Sequence, residues 1–216
     1  MSKRAIFLGG KRSSASGGTT TYEVNAFDDW GVDEGLDPLA PMEDPEPTFV
    51  ATPAAGDGRI GSASTGTGYA TYAMMFVLDV ASSATISSAT LTVKTASDSG
   101  TSATWLLKIQ DADNTSQPVN AAAATSVVDR CEEDDWSLSG VTPSSQAETY
   151  TIDVKTEIEA VIARGGWSSG NNITLLLSGP VEDNMGTCTG SGDDDLSDVE
   201  TVASSSGKPK LTVVYT

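Results

Sequence analysis

The sequence predicts an all-β sandwich, and three observations point there. From about Tyr69 onward, short apolar stretches alternate apolar and polar residues with the period of two that a strand half-buried on one face requires. Clusters of Gly, Ser, Asp and Asn separate these stretches, as turns separate the strands of a sandwich. The composition is rich in Ser, Thr, Gly and Ala with only 6% aromatic residues, which suits sheets with small outward side chains. A length of 216 residues supports one core of ordinary size with an appendage. No internal repeat is visible, which argues against a solenoid or propeller.

The chain divides near residue 67. Residues 1–67 open with Lys3, Arg4, Lys11 and Arg12, pass through the Ser/Gly/Thr-rich run Ser13 to Thr21, and turn acidic from Glu23 to Asp57, where no Lys or Arg occurs. Pro38, Pro41, Pro45, Pro47 and Pro53 disfavour helix and central-strand positions there. An extended N-terminal arm is expected, and fifty residues drawn straight reach on the order of 160 Å. Large apolar groups punctuate it: Ile6, Phe7, Leu8, Tyr22, Val24, Phe27, Trp30, Leu36, Leu39, Met42 and Phe49. Such groups need a surface, either by folding back on the same domain or by docking onto another chain. The second alternative makes Lys3, Arg4, Ile6, Phe7, Leu8, Lys11, Arg12, Tyr22, Phe27 and Trp30 the candidate partner-binding residues.

Residues 68–216 carry the expected sandwich. Ala73 to Val80 is a compact apolar run, and Ala89 to Thr95 alternates cleanly. Trp105 to Ile109, Tyr150 to Ile152, Asn172 to Ser178 and Lys210 to Tyr215 complete six expected strands. One helix interrupts them. Asp153 is placed to cap it, Val154, Ile158, Val161 and Ile162 fall on one face, and Gly165-Gly166 ends it. It is expected to cover one end of the sandwich.

Composition also excludes functions. With no histidine there is no Ser-His-Asp triad, imidazole zinc ligand or imidazole base. Twelve basic against thirty acidic residues, a formal charge of -18, oppose contact with a phosphate backbone, so no nucleic-acid partner is expected. The four-residue apolar run near the start is too short for a signal-peptide core, and no stretch approaches the roughly 18 apolar residues of a membrane span. Cys131 and Cys188 lie far apart outside any metal-type spacing, so their pairing is left open. The acidic clusters Glu132 to Asp135 and Asp193 to Asp195, with Asp198 and Glu200, are the candidate oxygen ligands of a structural calcium ion, the solvated loop being the alternative. No other cofactor is expected. Adjacent carboxylates on one loop do not flank a scissile glycosidic bond, so a glycosidase reading is set aside.

The segment from Tyr72 to Val93, an apolar strand, Asp79-Val80, a short gap, then Ile86-Ser87-Ser88-Ala89-Thr90-Leu91, resembles a signature of the DNRLRE-type domains. Later pieces follow in the same order: Trp136, the strand and helix of Tyr150 to Ala163, Gly166-Trp167-Ser168-Ser169-Gly170-Asn171, the strand Ile173 to Leu177, and the closing Pro209 to Tyr215. The resemblance covers residues 69–216, although the Asp-Asn-Arg-Leu-Arg-Glu string that names the group is absent. It implies a jelly-roll β-sandwich of the kind found in cell-surface proteins, carbohydrate-binding modules and some phage structural proteins. Ile86, Ala89 and Leu91 are then interior residues, Trp167 packs under the sandwich edge, and Trp136 is either a lid over the core or a sugar platform.

Together these readings give a non-enzymatic tailed-phage virion protein, expected to be a capsid decoration or cement protein anchored by its arm, with a tail or neck fibre as a close variant. Its expected partners are other virion proteins such as a major capsid protein, with a homo-oligomer expected, no membrane contact, and location in the virion after assembly in the host cytoplasm. The alternative is a carbohydrate-binding or surface-adhesion module whose partner is a host-surface polysaccharide.

Overall fold

The computed structural model describes residues 20–26, 28–33, 48–50, 58–62, 69–96, 105–119, 146–178 and 196–216. In chain order their elements are β1 (Thr20–Asn25), β2 (Asp28–Asp33), β3 (Thr48–Val50), β4 (Gly58–Ser62), β5 (Tyr69–Leu78), β6 (Ile86–Lys94), β7 (Leu106–Ile109), β8 (Thr149–Asp153), α1 (Lys155–Ile162), β9 (Asn171–Ser178), β10 (Leu196–Val199) and β11 (Lys210–Tyr215). They form two antiparallel sheets. The first runs β1-β11-β6-β8. In the second, β5 has β2 and then β3 on one side and β9 and then β7 on the other, with β4 and β10 joined at the start of β5. The expected all-β sandwich with one short helix is the fold of this chain. From β5 to β9 successive strands alternate between the sheets, a crossing pattern shared with jelly rolls.

All six expected strands are present. The alternation in β6 buries Ala89, Leu91 and Val93 and leaves Thr90 and Thr92 half-exposed. Ile86 is also buried, three residues before Ala89, because a bulge in the pairing with β11 breaks the register between Val214 and Tyr215. Strand β5 is buried on both faces from Thr71 to Phe76, which is why its sequence reads as a continuous apolar run and not as an alternation. Its neighbour β9 is likewise buried from Ile173 to Leu177. The core lies between the sheets, where Tyr72, Met74, Phe76 and Leu78 of β5 meet Leu91 and Val93 of β6 and Leu211 and Val213 of β11. Each fully buried aliphatic side chain contributes about 1.5–3 kcal/mol.

Helix α1 buries Ile158, Val161 and Ile162 as its spacing predicts, with Val154 buried just before it, and packs on β6. Its N-cap position is Val154, one residue later than expected, and Val154 offers no side-chain cap. Asp153 still serves the end, since its Oδ1 accepts from the Lys155 N–H at 3.0 Å. The chain turns after the helix through Gly170, whose φ of 94° favours glycine.

The expected arm over residues 1–67 requires correction. Every described stretch within it is a strand of the sandwich: β1 joins the first sheet, and β2, β3 and β4 join the second. Polar and proline content argued against strands there, yet β1, β2 and β4 each find a long, well-buried partner strand, and pairing overrides weak local propensity. Residues 1–19, 34–47, 51–57 and 63–68 lie outside the described residues.

Candidate functional site

The N-terminal strands act as a clip on one side of the sandwich. Strand β1 extends the first sheet beyond β11 over six register pairs, from Thr20 opposite Tyr215 to Asn25 opposite Lys210. Beyond Ala26 the chain enters the second sheet, where β2 pairs with β5 from Asp28 opposite Met75 to Asp33 opposite Ala70. At the crossing, Ala26 is buried in the core and its N–H bonds to the Pro209 carbonyl at 3.2 Å. A segment of fourteen residues thereby ties both sheets together along one flank.

Asp29 fixes the second half of that clip. It faces the core opposite Met74 and is fully buried, an unusual place for a carboxylate. Its Oδ2 accepts from the Tyr72 hydroxyl at 2.8 Å and from the Val202 backbone N–H at 2.9 Å. Its backbone carbonyl accepts from Gln117 Nε2 at 3.0 Å. Four distant stretches of chain meet at this one residue. Burial, and then the charge of Asp29, push the Tyr72 phenol well above its ordinary pKa, so it remains a hydrogen-bond donor. A buried carboxylate is tolerable only with such donors, and each lost bond costs about 1–3 kcal/mol. Sequence reasoning missed this network because Asp28-Asp29 reads as part of an acidic surface run.

A second polar cluster closes the end of the sandwich near β9. The stretch 110–119 lies along β9: Thr174 Oγ1 bonds to Thr115 Oγ1 at 2.8 Å, Asn171 Nδ2 donates to the Asp113 carbonyl at 2.8 Å, and the Asn172 N–H donates to Asn114 Oδ1 at 2.8 Å. Arg164, two residues past the helix, donates from Nε to Asp113 at 2.7 Å and from its terminal nitrogen to Asp111. The bond to Asp113 is the main cause of an upward-shifted Arg164 pKa. Nearby, Ser169 donates to the Asp79 carboxylate, and the Tyr215 hydroxyl reaches the Asp79 carbonyl at 3.4 Å. Burial and then the Asp79 charge raise the pKa of both Tyr22 and Tyr215.

Of the ten candidate partner-binding residues, Lys3, Arg4, Ile6, Phe7, Leu8, Lys11, Arg12 and Phe27 lie outside the described residues. Tyr22 sits on β1 opposite Val213, half-buried against the core of its own domain. Trp30 stands on β2 opposite Ala73. Cys131, Cys188, Trp136 and the clusters at 132–135 and 193–195 also lie outside the described residues, while Asp198 falls on β10 opposite Arg59 and Glu200 just after it. Trp167 packs under the edge as expected, 6% exposed, with its indole N–H donating to the Val80 carbonyl at 2.8 Å. Among the described residues no group of three or more Cys, Asp or Glu gathers as metal ligands would. The described polar groups thus act as fasteners between strands. No family model matches the chain, and no curated protein matches it.

Proposed function

We propose that this chain is a non-enzymatic structural protein of a tailed-phage virion, a capsid decoration or cement protein whose gripping element is residues 1–19. The observation that carries the reading is a division of charge at the start of β1. Residues 1–19 hold four of the twelve basic residues and none of the thirty acidic ones, and they include Ile6-Phe7-Leu8. Residues 20–216 hold the other eight basic residues and all thirty acidic ones, and their described stretches belong to the sandwich. A short basic and apolar segment at the edge of an acidic module suits attachment to an acidic shell protein, with Lys3, Arg4, Lys11 and Arg12 supplying attraction and Ile6, Phe7 and Leu8 the anchors. The arm reading narrows accordingly, because Tyr22 is occupied with its own core.

The reading assigns the sandwich no cofactor and no chemistry. The carbohydrate-binding alternative loses Trp167 as a platform, since its ring is buried and its N–H committed. The test compares the full chain with a version lacking residues 1–19 for incorporation into particles of the phage that encodes it. Incorporation is read by mass spectrometry of purified particles. Loss of incorporation with unchanged circular dichroism supports the reading, and normal occupancy by the truncated chain refutes it.

A further inference from the structure

We propose that residues 20–33 form a releasable strap, latched by Asp29, that opens and closes while the rest of the sandwich stays folded. Three observations carry this. First, the strap is peripheral to both sheets: β1 pairs only with β11 among the described residues, and β2 is flanked by β5 on one side and by the three-residue β3 on the other. Strands β5, β6, β9 and β11 remain paired without it, through β5 with β9 and β6 with β11 and β8. Second, its sequence is a poor strand former. Glu23, Asn25, Asp28, Asp29, Gly31 and Asp33 fall within twelve strand residues, and their acidity adds repulsion in a chain of formal charge -18.

Third, beyond its ladder pairing with β11 and β5, the strap is latched at one residue by hydrogen bonds that are buried or part-buried. The Asp29 carboxylate accepts from the Tyr72 hydroxyl and the Val202 N–H, and its carbonyl accepts from Gln117. Such a network is strong when complete and costly when partly broken, which makes docking all-or-none. Opening the strap would free the row of backbone groups on β11 that faces β1 and the row on β5 that faces β2. Segments that open in this sub-global manner exchange their amide hydrogens separately from the core.

The inference stands apart from the virion reading, since it concerns the isolated chain. The experiment is native-state hydrogen exchange with peptide-level mass spectrometry on the full-length protein, on Tyr72→Phe and on Asp29→Ala. In the wild type, residues 20–33 and the β11 amides facing β1 are expected to exchange about tenfold or more faster than β6 and β9. Tyr72→Phe keeps the aromatic ring in the core and removes only the hydroxyl. It should speed exchange of residues 20–33 by about tenfold and that of β6 and β9 by no more than the same factor, since the lost bond is absent from both the strap-open and the unfolded chain. Asp29→Ala should speed strap exchange by more. Exchange of residues 20–33 only in one step with β6 and β9 in the wild type would overturn the strap, a result that does not depend on how the variants fold. Strap exchange unaffected by Tyr72→Phe would overturn the latch.

Discussion

Of the strands paired with β5, the two with the longest register, β9 and β2, differ in character. On one side β9 presents five consecutive buried residues, Ile173 to Leu177, over eight register pairs. On the other, β2 presents a buried carboxylate in a segment containing Asp28, Gly31 and Asp33. The β9 side is held by apolar area, which is non-directional and tolerant of small adjustments. On the β2 side the one described side chain, that of Asp29, is held by hydrogen bonds that demand a particular donor at a particular distance. Among the described residues, burial on the β9 side is therefore spread over many positions, while the described side-chain fastening of the β2 side centres on Asp29.

The sharpest break of that comparison is truncation. Deleting residues 1–49 removes β1, β2 and most of β3, uncovers β11, and takes Asp29 from Tyr72 and Val202. It is expected to cost more than the roughly 2–5 kcal/mol of one core truncation. Deleting only residues 1–19 leaves every described strand intact and should shift stability by less than about 0.5 kcal/mol. Chemical-denaturation midpoints of the two truncations decide the matter. Equal midpoints would mean that the strap adds nothing to the fold.

Next comes the spread-out half. Leu91 is fully buried on β6, paired with Leu211 on one side and Ile152 on the other. Leu91→Ala should cost about 3 kcal/mol with the denaturant slope unchanged. The same substitution was expected to be costly from sequence, because Leu91 lies in the cleanest alternation of the chain. Legibility followed the type of force. Where apolar burial sets the structure the sequence shows it, as an open period in β6, β11 and α1 and as a continuous apolar run in β5 and β9. The passage from β1 to β2 between sheets, the bulge at Val214 and the burial of Asp29 left no such trace. Each depends on partners more than forty residues away, and an acidic residue before a tryptophan looks the same whether it meets water or Tyr72. The prolines between β2 and β4 argue against strands there, yet the described strands β3 and β4 contain none of them and keep every backbone N–H for pairing.

Polar fastening at the surface should count for less than the same bonds inside. Arg164 joins Asp111 and Asp113 with its side chain about one-third exposed, so solvent screens the pair. Arg164→Ala is expected to cost under about 1 kcal/mol, and raising the salt concentration should shrink the difference from wild type. Thermal unfolding at two ionic strengths measures it. A loss as large as that of Leu91→Ala would show that stretch 110–119 depends on this one cation as strongly as the strap depends on Asp29.

The subtlest contrast sets two hidden carboxylates against each other. Each has one oxygen that receives no hydrogen bond among the described residues, Asp29 Oδ1 and Glu157 Oε2. But Asp29 Oδ2 accepts from Tyr72 and from the Val202 N–H, two donors on distant strands and loops, whereas Glu157 is 8% exposed in the first turn of α1. Burial is the main cause of a raised Glu157 pKa, with the Asp153 charge adding to it and a hydrogen bond from its own backbone opposing. A carboxyl that holds its proton more tightly folded than unfolded lowers stability when ionised. That penalty is relieved as pH falls through the raised folded pKa and is gone below the unfolded value, near about pH 4. Glu157→Gln removes the titration, so the variant should be more stable than wild type at neutral pH, and the gain should fade with acidification. Denaturation midpoints of both proteins from neutral pH down to about pH 4 test this. A gain that does not vary with pH would mean that the Glu157 carboxylate is as well solvated folded as unfolded, and the contrast between the two buried acids would fail.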